Sequence, residues 1–299
     1  MPPRVEVTHP DRVMFPADGI TKGELVGYYG EVADTMLPHL KGRAISVQRF
    51  PRGIDEQGFV QQDFADTLPD WMNGVTVARQ GTGAGGTLVH PLAETREGLR
   101  WLANQNCVTL HVWQSRQDKL HDPDRLVFDL DPSVADFAVV RATARALAGA
   151  LDDLKLARYV QTTGSRGLHV VVPLRADTDF DTVREFARDV AEVVVADDEK
   201  HRTIEARKEK RGNRVYLDIM RNGYAQTAVA PYAVRARPRA PVATPLEWDE
   251  LAARGLRPDR FTIRDIPKRL ATQRDPWADM SRHARSLAGP IQRVAKLRG

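Results

Sequence analysis

Cysteine is nearly absent from this 299-residue chain. Cys107 is the only one, which excludes an intramolecular disulfide and any zinc site built from several thiolates. Long apolar runs are missing as well. No stretch reaches the roughly 18 consecutive apolar residues a membrane helix needs, and the N-terminus has no apolar secretory core. The expectation is a soluble, cytoplasmic protein with no membrane partner. Internal repeats and low-complexity tracts are also lacking. What is present is 42% apolar and 28% charged residues, enough for a sizeable core, so a wholly disordered chain is excluded. The length suits one large domain or two ordinary ones.

Net charge is only +4, from 44 Lys and Arg against 40 Asp and Glu, but its distribution is uneven. Residues 201–239 carry ten basic and three acidic side chains, and residues 281–299 carry five basic and no acidic ones. A segregated basic surface on a near-neutral chain suits a polyanion such as nucleic acid or nucleotide phosphates. Ordinary solvated faces and a frayed tail are the alternative.

The order of elements reads as mixed α/β in two subdomains. Thr21 stands three residues before Glu24, a capping-box spacing, and Leu25, Tyr28, Tyr29, Val32, Met36 and Leu37 follow at helical intervals. Residues 43–50 read as a strand, and 90–105 contain a helix with Trp101 and Leu102 in the core. The glycine-rich run 81–87 lacks the Gly-Lys-Ser/Thr ending of a phosphate cradle and reads as a hairpin loop. Beyond it the spacing predicts strands at 125–131, 158–162, 168–174 and 214–220, and helices at 135–154 and 180–196. After Arg235 the proline-rich chain runs extended before short C-terminal helices.

Chemistry concentrates on the strands. In Arg125-Leu-Val-Phe-Asp-Leu-Asp-Pro132 alternation sets Leu126, Phe128 and Leu130 against Asp129 and Asp131. Two carboxylates about 7 Å apart on one strand face repel unless a cation lies between them, and oxygen ligands suit Mg²⁺ or Mn²⁺. Asp218 shares a face with Tyr216 in a second apolar strand, and three such acids could hold two divalent ions. A surface strand end with two solvated acids is the bland alternative for Asp129 and Asp131, and an edge position that for Asp218. Between strands, Thr162-Thr-Gly-Ser-Arg-Gly-Leu-His169 is a turn whose Ser165, Arg166 and backbone N–H groups can face phosphate oxygens. His169 would then touch phosphate or serve the structure alone. Phe128-Asp-Leu-Asp-Pro-Ser133 also resembles the first motif of haloacid-dehalogenase-type phosphatases. However, Lys200 and Lys208 follow Asp197–Asp198, whereas that family's lysine precedes its last acids.

Four motifs, 126–132, 163–169, Val215-Tyr-Leu-Asp218 and Ala230-Pro-Tyr-Ala-Val-Arg235, stand in the order found in the polymerase domain of bacterial ligase D, of the archaeo-eukaryotic primase superfamily. The chain resembles that family over nearly its whole length. The resemblance implies one primase-polymerase domain over 1–299. Its approximate parts are a small α/β subdomain at 1–120, a catalytic subdomain with an RRM-like mixed sheet at 121–240, and an extension with short helices at 241–299. It further implies that Asp129, Asp131 and Asp218 bind two metal ions, Mn²⁺ or Mg²⁺. Thr163, Ser165, Arg166 and His169 would contact the incoming triphosphate, with His111 and Arg235 near its sugar and phosphates. His9, Arg12 and Lys22 match a pocket for a DNA 5′-phosphate, with Arg12 where lysine is usual. Phe59 matches one of two template-stacking aromatics, the second being Val60 here.

The activity so implied is template-dependent nucleotide addition, favouring ribonucleotides and Mn²⁺, on gaps and broken DNA ends in non-homologous end joining. NTPs or dNTPs would be substrates, and Ku and a DNA ligase the partners of a nucleoid-associated protein. No ligase lysine motif and no room for a nuclease domain are seen. A stand-alone primase or short-gap polymerase of excision repair is the alternative within the same chemistry, and a non-catalytic DNA-end-binding module the alternative outside it.

Overall fold

Two hydrophobic cores organise the chain in the computed structural model, which describes residues 2–79, 85–133 and 136–298. One unit comprises Met1–Asp118, Thr227–Thr244 and Phe261–Ala278, and the other Lys119–Gln226, Pro245–Arg260 and Asp279–Gly299. The partition is discontinuous because strand Thr227–Val229 pairs antiparallel with Cys107–Trp113, returning the chain to the first unit. Against the linear order 1–120, 121–240 and 241–299, residues 227–244 and 261–278 thus fold with the N-terminal segment.

The first unit holds an antiparallel four-stranded sheet in the order Thr227–Val229, Cys107–Trp113, Ile45–Arg49, Phe59–Gln61. Helices Lys22–Glu31 and Arg96–Asn104 pack on each other, and the second also packs on strand Cys107–Trp113. Thr21 and Glu24 close the expected capping box, each side chain bonded to the other's backbone N–H. Leu25, Tyr29, Met36, Leu99 and Leu102 are fully buried there, while Trp101 is only partly buried. Residues 81–84 of the glycine-rich loop lie outside the described residues; the strands around it are Gly74–Ala78 and Thr87–Pro91.

The second unit is built on a six-stranded mixed sheet. Its order is Arg202–Thr203, Val215–Asp218, Arg125–Pro132, Leu168–Pro173, Tyr159–Thr162, Thr244–Leu246. Helices Phe137–Asp153 and Phe180–Ala196 pack on each other and on strand Arg125–Pro132. Asp136 and Asp179 cap them, accepting bonds from the N–H of Ala138 and Thr182. This satisfies donors that a helix start otherwise leaves open. Strand Arg125–Pro132 is central, and Leu126, Phe128 and Leu130 are fully buried. No helix among the described residues is long and apolar enough to cross a membrane.

Candidate active site

Register, more than sequence spacing, assembles the acids. Asp129 lies directly opposite Asp218 on one neighbouring strand and opposite His169 on the other. His169 in turn faces Gln161. Four side-chain positions thus form one row across four strands, at the spacing of the hydrogen-bond ladder, about 4.8 Å per step. Asp131 stands one pleat along, opposite Tyr216.

These groups are buried and interlocked. Asp129 is 7% exposed and Asp218 8%. His169 Nε2 lies 3.4 Å from Asp129 Oδ1, and Gln161 Nε2 lies 3.2 Å from His169 Nδ1. Asp218 Oδ1 accepts bonds from the Met220 N–H at 2.8 Å and from the Tyr216 hydroxyl at 3.4 Å. Arg221 Nε lies 3.3 Å from Asp129 Oδ2 and 3.5 Å from Asp218 Oδ2. Burial works to raise the Asp129 carboxyl, yet His169 and Arg221 overcome it and hold the group below the usual carboxylate range. Asp131 goes the other way. Burial first, and the neighbouring Asp129 charge second, push it up, although Arg166, His169 and Arg221 oppose the rise.

The turn after strand Tyr159–Thr162 is held by its own side chain. The Thr163 hydroxyl accepts from the N–H groups of Ser165 at 3.3 Å and Gly167 at 3.2 Å, and lies 3.1 Å from the Gly167 carbonyl. Thr163 therefore shapes the turn, with Ser165 half-buried and Arg166 exposed at its tip. Gly167 is required by space. A Cβ there would lie 2.0 Å from the Leu130 carbonyl oxygen, so the turn rests on the acidic strand between Asp129 and Asp131.

The remaining predicted residues belong to the other unit. Residues 8–12 form a turn in which the Arg12 N–H donates to the His9 carbonyl at 3.1 Å, and the Lys22 N–H donates to the Arg12 carbonyl at 2.8 Å. His9 takes the left-handed region, φ 51°. Lys22 is 2% exposed, and its Nζ donates to Thr8 Oγ1 at 2.8 Å. Burial lowers the Lys22 pKa, and the charges of Arg12 and Arg49 lower it further. The fold thus gathers Arg12, Lys22 and Arg49, and Arg49 is a member that sequence reasoning missed. Arg49 also stands 6.0 Å from the Phe59 ring centre. Phe59 and Val60 are 49% and 64% exposed on strand Phe59–Gln61. His111 is half-buried in strand Cys107–Trp113, opposite Ser46 and Val229. Arg235 is half-buried, with its backbone bonded to the Pro241 carbonyl.

Arg221 is the second residue missed. The expected strand 214–220 stops at Asp218, and Met220–Asn222 form a 3-10 turn instead. A basic residue three places beyond a buried strand acid was the available signal. Among the described residues no three His, Cys, Asp or Glu side chains are already gathered as a metal cage. The donor set still fits a hard divalent ion. Two carboxylates face each other across a ladder step, a third is adjacent, and a guanidinium already lies between two of them.

Known proteins share this arrangement of chain and fold. Residues 21–277 match the family model described as LigD, primase-polymerase domain. The chain is 36% identical over 264 residues to the multifunctional non-homologous end joining protein LigD of Mycolicibacterium smegmatis, covering 86% of this chain and 34% of that protein. It is 30% identical over 283 residues to the bifunctional LigD of Bacillus subtilis, covering 94% of this chain and 45% of the relative. The chain therefore spans about a third to a half of these relatives' length. Among solved structures, the polymerase domain from Mycobacterium tuberculosis ligase D in complex with DNA superposes with a TM-score of 0.87 at 31% identity. That match covers 94% of this chain and 99% of the other.

Proposed function

Because the chain belongs to the LigD primase-polymerase domain family, we propose that it adds nucleotides to DNA primer ends at gaps and breaks, in the service of bacterial end joining. The observation that carries the reading is the row of Asp218, Asp129 and His169, with Asp131 and the Gly167 turn beside it. Polymerase chemistry needs carboxylates that hold divalent cations next to donors for a triphosphate. Carboxylates and a donor-bearing turn on adjacent strands of one sheet support that reading.

In this reading Asp129, Asp131 and Asp218 hold two divalent ions, Mn²⁺ or Mg²⁺. Bound there, the ions would make the primer 3′-hydroxyl more acidic and neutralise the leaving pyrophosphate. The chain's own residues do the rest. Gln161 steadies the His169 ring, which stays beside Asp129 and donates toward phosphate oxygens. Ser165, Arg166 and the backbone N–H groups of the turn take further phosphate oxygens, with His111 and Arg235 toward the nucleotide. Fixed donors of this kind stabilise charge without reorganising. His9, Arg12 and Lys22 receive the 5′-phosphate on the far side of a gap, and Phe59 stacks on the template. DNA, NTPs or dNTPs, Ku and a DNA ligase are the partners proposed, with ribonucleotides preferred.

The test is primer extension on gapped DNA with Mn²⁺ or Mg²⁺ and either rNTPs or dNTPs. Unmutated protein should extend, most readily with rNTPs and Mn²⁺. Asp218→Asn should extend by less than about one part in a thousand, as expected when a group needed for transition-state charge is lost, while still binding DNA. Near-normal extension by that variant would overturn the assignment.

A further inference from the structure

Arg221 is held in place by a device that the acids themselves do not need. Asn222, 1% exposed, uses its side-chain amide as a substitute peptide. Its Oδ1 accepts from the Val127 N–H at 2.8 Å, and its Nδ2 donates to the Val127 carbonyl at 2.8 Å. Strand Val215–Asp218 has ended by then, so Asn222 continues the ladder along strand Arg125–Pro132 with a side chain. A second bond from Nδ2 to the Ile219 carbonyl at 2.9 Å closes the 3-10 turn. Arg221 is consequently carried on a turn pinned two residues from Asp129, and its Nε lies between Asp129 Oδ2 and Asp218 Oδ2. Its side chain is nevertheless 39% exposed, so the guanidinium has room to leave.

We propose that Arg221 is a built-in stand-in cation for the divalent ion. It neutralises Asp129 and Asp218 while the site is empty of metal, and it moves to the triphosphate when metal and nucleotide arrive. The proposal rests on the polymerase reading above and names the order of assembly at that site. Its logic is competition. A hard cation and a guanidinium cannot both take the same two carboxylate oxygens at full strength, so the ion must displace Arg221. Displacement alone would leave a half-buried cation without its counter-charges, which is costly. A triphosphate supplies the missing anion, and Arg binds phosphate well through its planar fork. Metal alone therefore binds weakly, and metal with nucleotide binds tightly. By linkage the metal must favour the nucleotide to the same extent.

The experiment measures binding and not turnover. Free Mn²⁺ is titrated by its EPR signal into the full chain, with and without a non-hydrolysable nucleoside triphosphate analogue. Its own affinity for Mn²⁺ is measured separately and subtracted. For the unmutated protein the analogue should tighten Mn²⁺ binding by about five- to a hundredfold, the ordinary span of coupling between two ligands. Arg221→Gln should bind Mn²⁺ alone more tightly than the unmutated protein does, and most of the tightening by analogue should vanish. Its melting temperature without metal should drop and be restored by Mn²⁺. Arg221→Lys, which keeps the charge and loses the fork, should fall between the two and serves if the Gln variant does not fold. Mn²⁺ affinity unchanged or weakened in both variants would overturn the proposal. Asp129→Asn and Asp218→Asn separate the two readings. If they retain full Mn²⁺ affinity, the acids are not a metal site and the polymerase reading fails at its base. If they lose it while Arg221 variants behave as the unmutated protein does, only the stand-in role fails.

Discussion

Replacing Lys22 with Met tests the proposed 5′-phosphate pocket most sharply, because the ammonium is already held by Thr8. Lys22 is the first residue of helix Lys22–Glu31, where the positive end of the helix dipole favours an anion, although the N–H groups of Lys22, Gly23 and Glu24 are already taken by the Arg12 and Pro10 carbonyls and the Thr21 hydroxyl. A buried cation there, next to Arg12 and Arg49, repels its neighbours until an anion arrives. Met keeps the length and packing of the stem and removes the charge. One charge-assisted contact to phosphate is worth about 1.5–3 kcal/mol, so affinity for gapped DNA with a 5′-phosphate should fall by about ten- to a hundredfold. Affinity for the same DNA with a 5′-hydroxyl should hardly change. Fluorescence anisotropy at one fixed salt concentration measures both, since phosphate contacts depend steeply on salt.

The same pocket has a pH signature. A terminal phosphate is a dianion above about pH 7, so its charge stays constant as the solution becomes alkaline while that of Lys22 is lost. Its folded pKa is lowered, so the charged form is lost below the usual lysine range, and preference for the 5′-phosphate should decline through that window. Lys22→Arg should hold the preference flat. Folding stability has the opposite slope there, because the unfolded chain binds the extra proton. Equal affinity of the unmutated protein for the two DNA ends would refute the pocket.

Two further perturbations bear on the fold that carries these sites. Gly167→Ala puts a Cβ about 2 Å from the Leu130 carbonyl, deeper overlap than ordinary overpacking, so at least about 3 kcal/mol should be lost in urea unfolding; wild-type stability would show that the turn is free to lift. Asp275 accepts bonds from the Tyr232 hydroxyl at 2.7 Å and the Trp277 N–H at 3.0 Å, and lies 2.7 Å from His39 Nε2. Burial pushes its carboxyl up, but His39, Tyr232 and Trp277 together bring it below the usual value. Its stabilising share is thus present above about pH 4 and fades as the pH falls through its lower folded value. Asp275→Asn should cost about 1.5–3 kcal/mol at neutral pH, with the gap narrowing in acid unfolding curves, and a gap constant with pH would contradict that role.

What could be read from the sequence follows the range over which each feature is encoded. Alternation in 125–132 is local, and it correctly pairs Asp129 with Asp131 on one side of a strand that runs Arg125–Pro132. The helix Phe180–Ala196 is legible end to end because Val183, Phe186, Ala187, Val190 and Val194 fall on one face, and the structure adds the Asp179 cap. That Asp218 lies opposite Asp129 was not legible, since register is set by packing between distant strands. The early end of strand Val215–Asp218 was hidden for a similar reason. Asn222-Gly223 marks a turn nearby, but that the strand already ends at Asp218 depends on Asn222 finding Val127, 95 positions away. The Thr21–Glu24 spacing puts Lys22 in the helix's first turn, but its burial depends on the fold-back of residues 8–12 and on Thr8, which Asn104 anchors.

The row of Asp218, Asp129, His169 and Gln161 also says how this chain can tolerate change in length. Each member is fixed by a ladder step to its neighbour and not by the segment that joins the strands. The connection from Arg175 to Asp179 and the stretch from Asp197 to His201 can therefore gain or lose residues without moving a reacting group. A single residue inserted inside any of the four strands has the opposite effect. It turns every later side chain of that strand to the other face; in strand Arg125–Pro132, an insertion ahead of Asp129 would put Phe128 in its place in the row. Insertions and deletions that preserve activity should thus be confined to the joins, with the strand interiors admitting substitutions only.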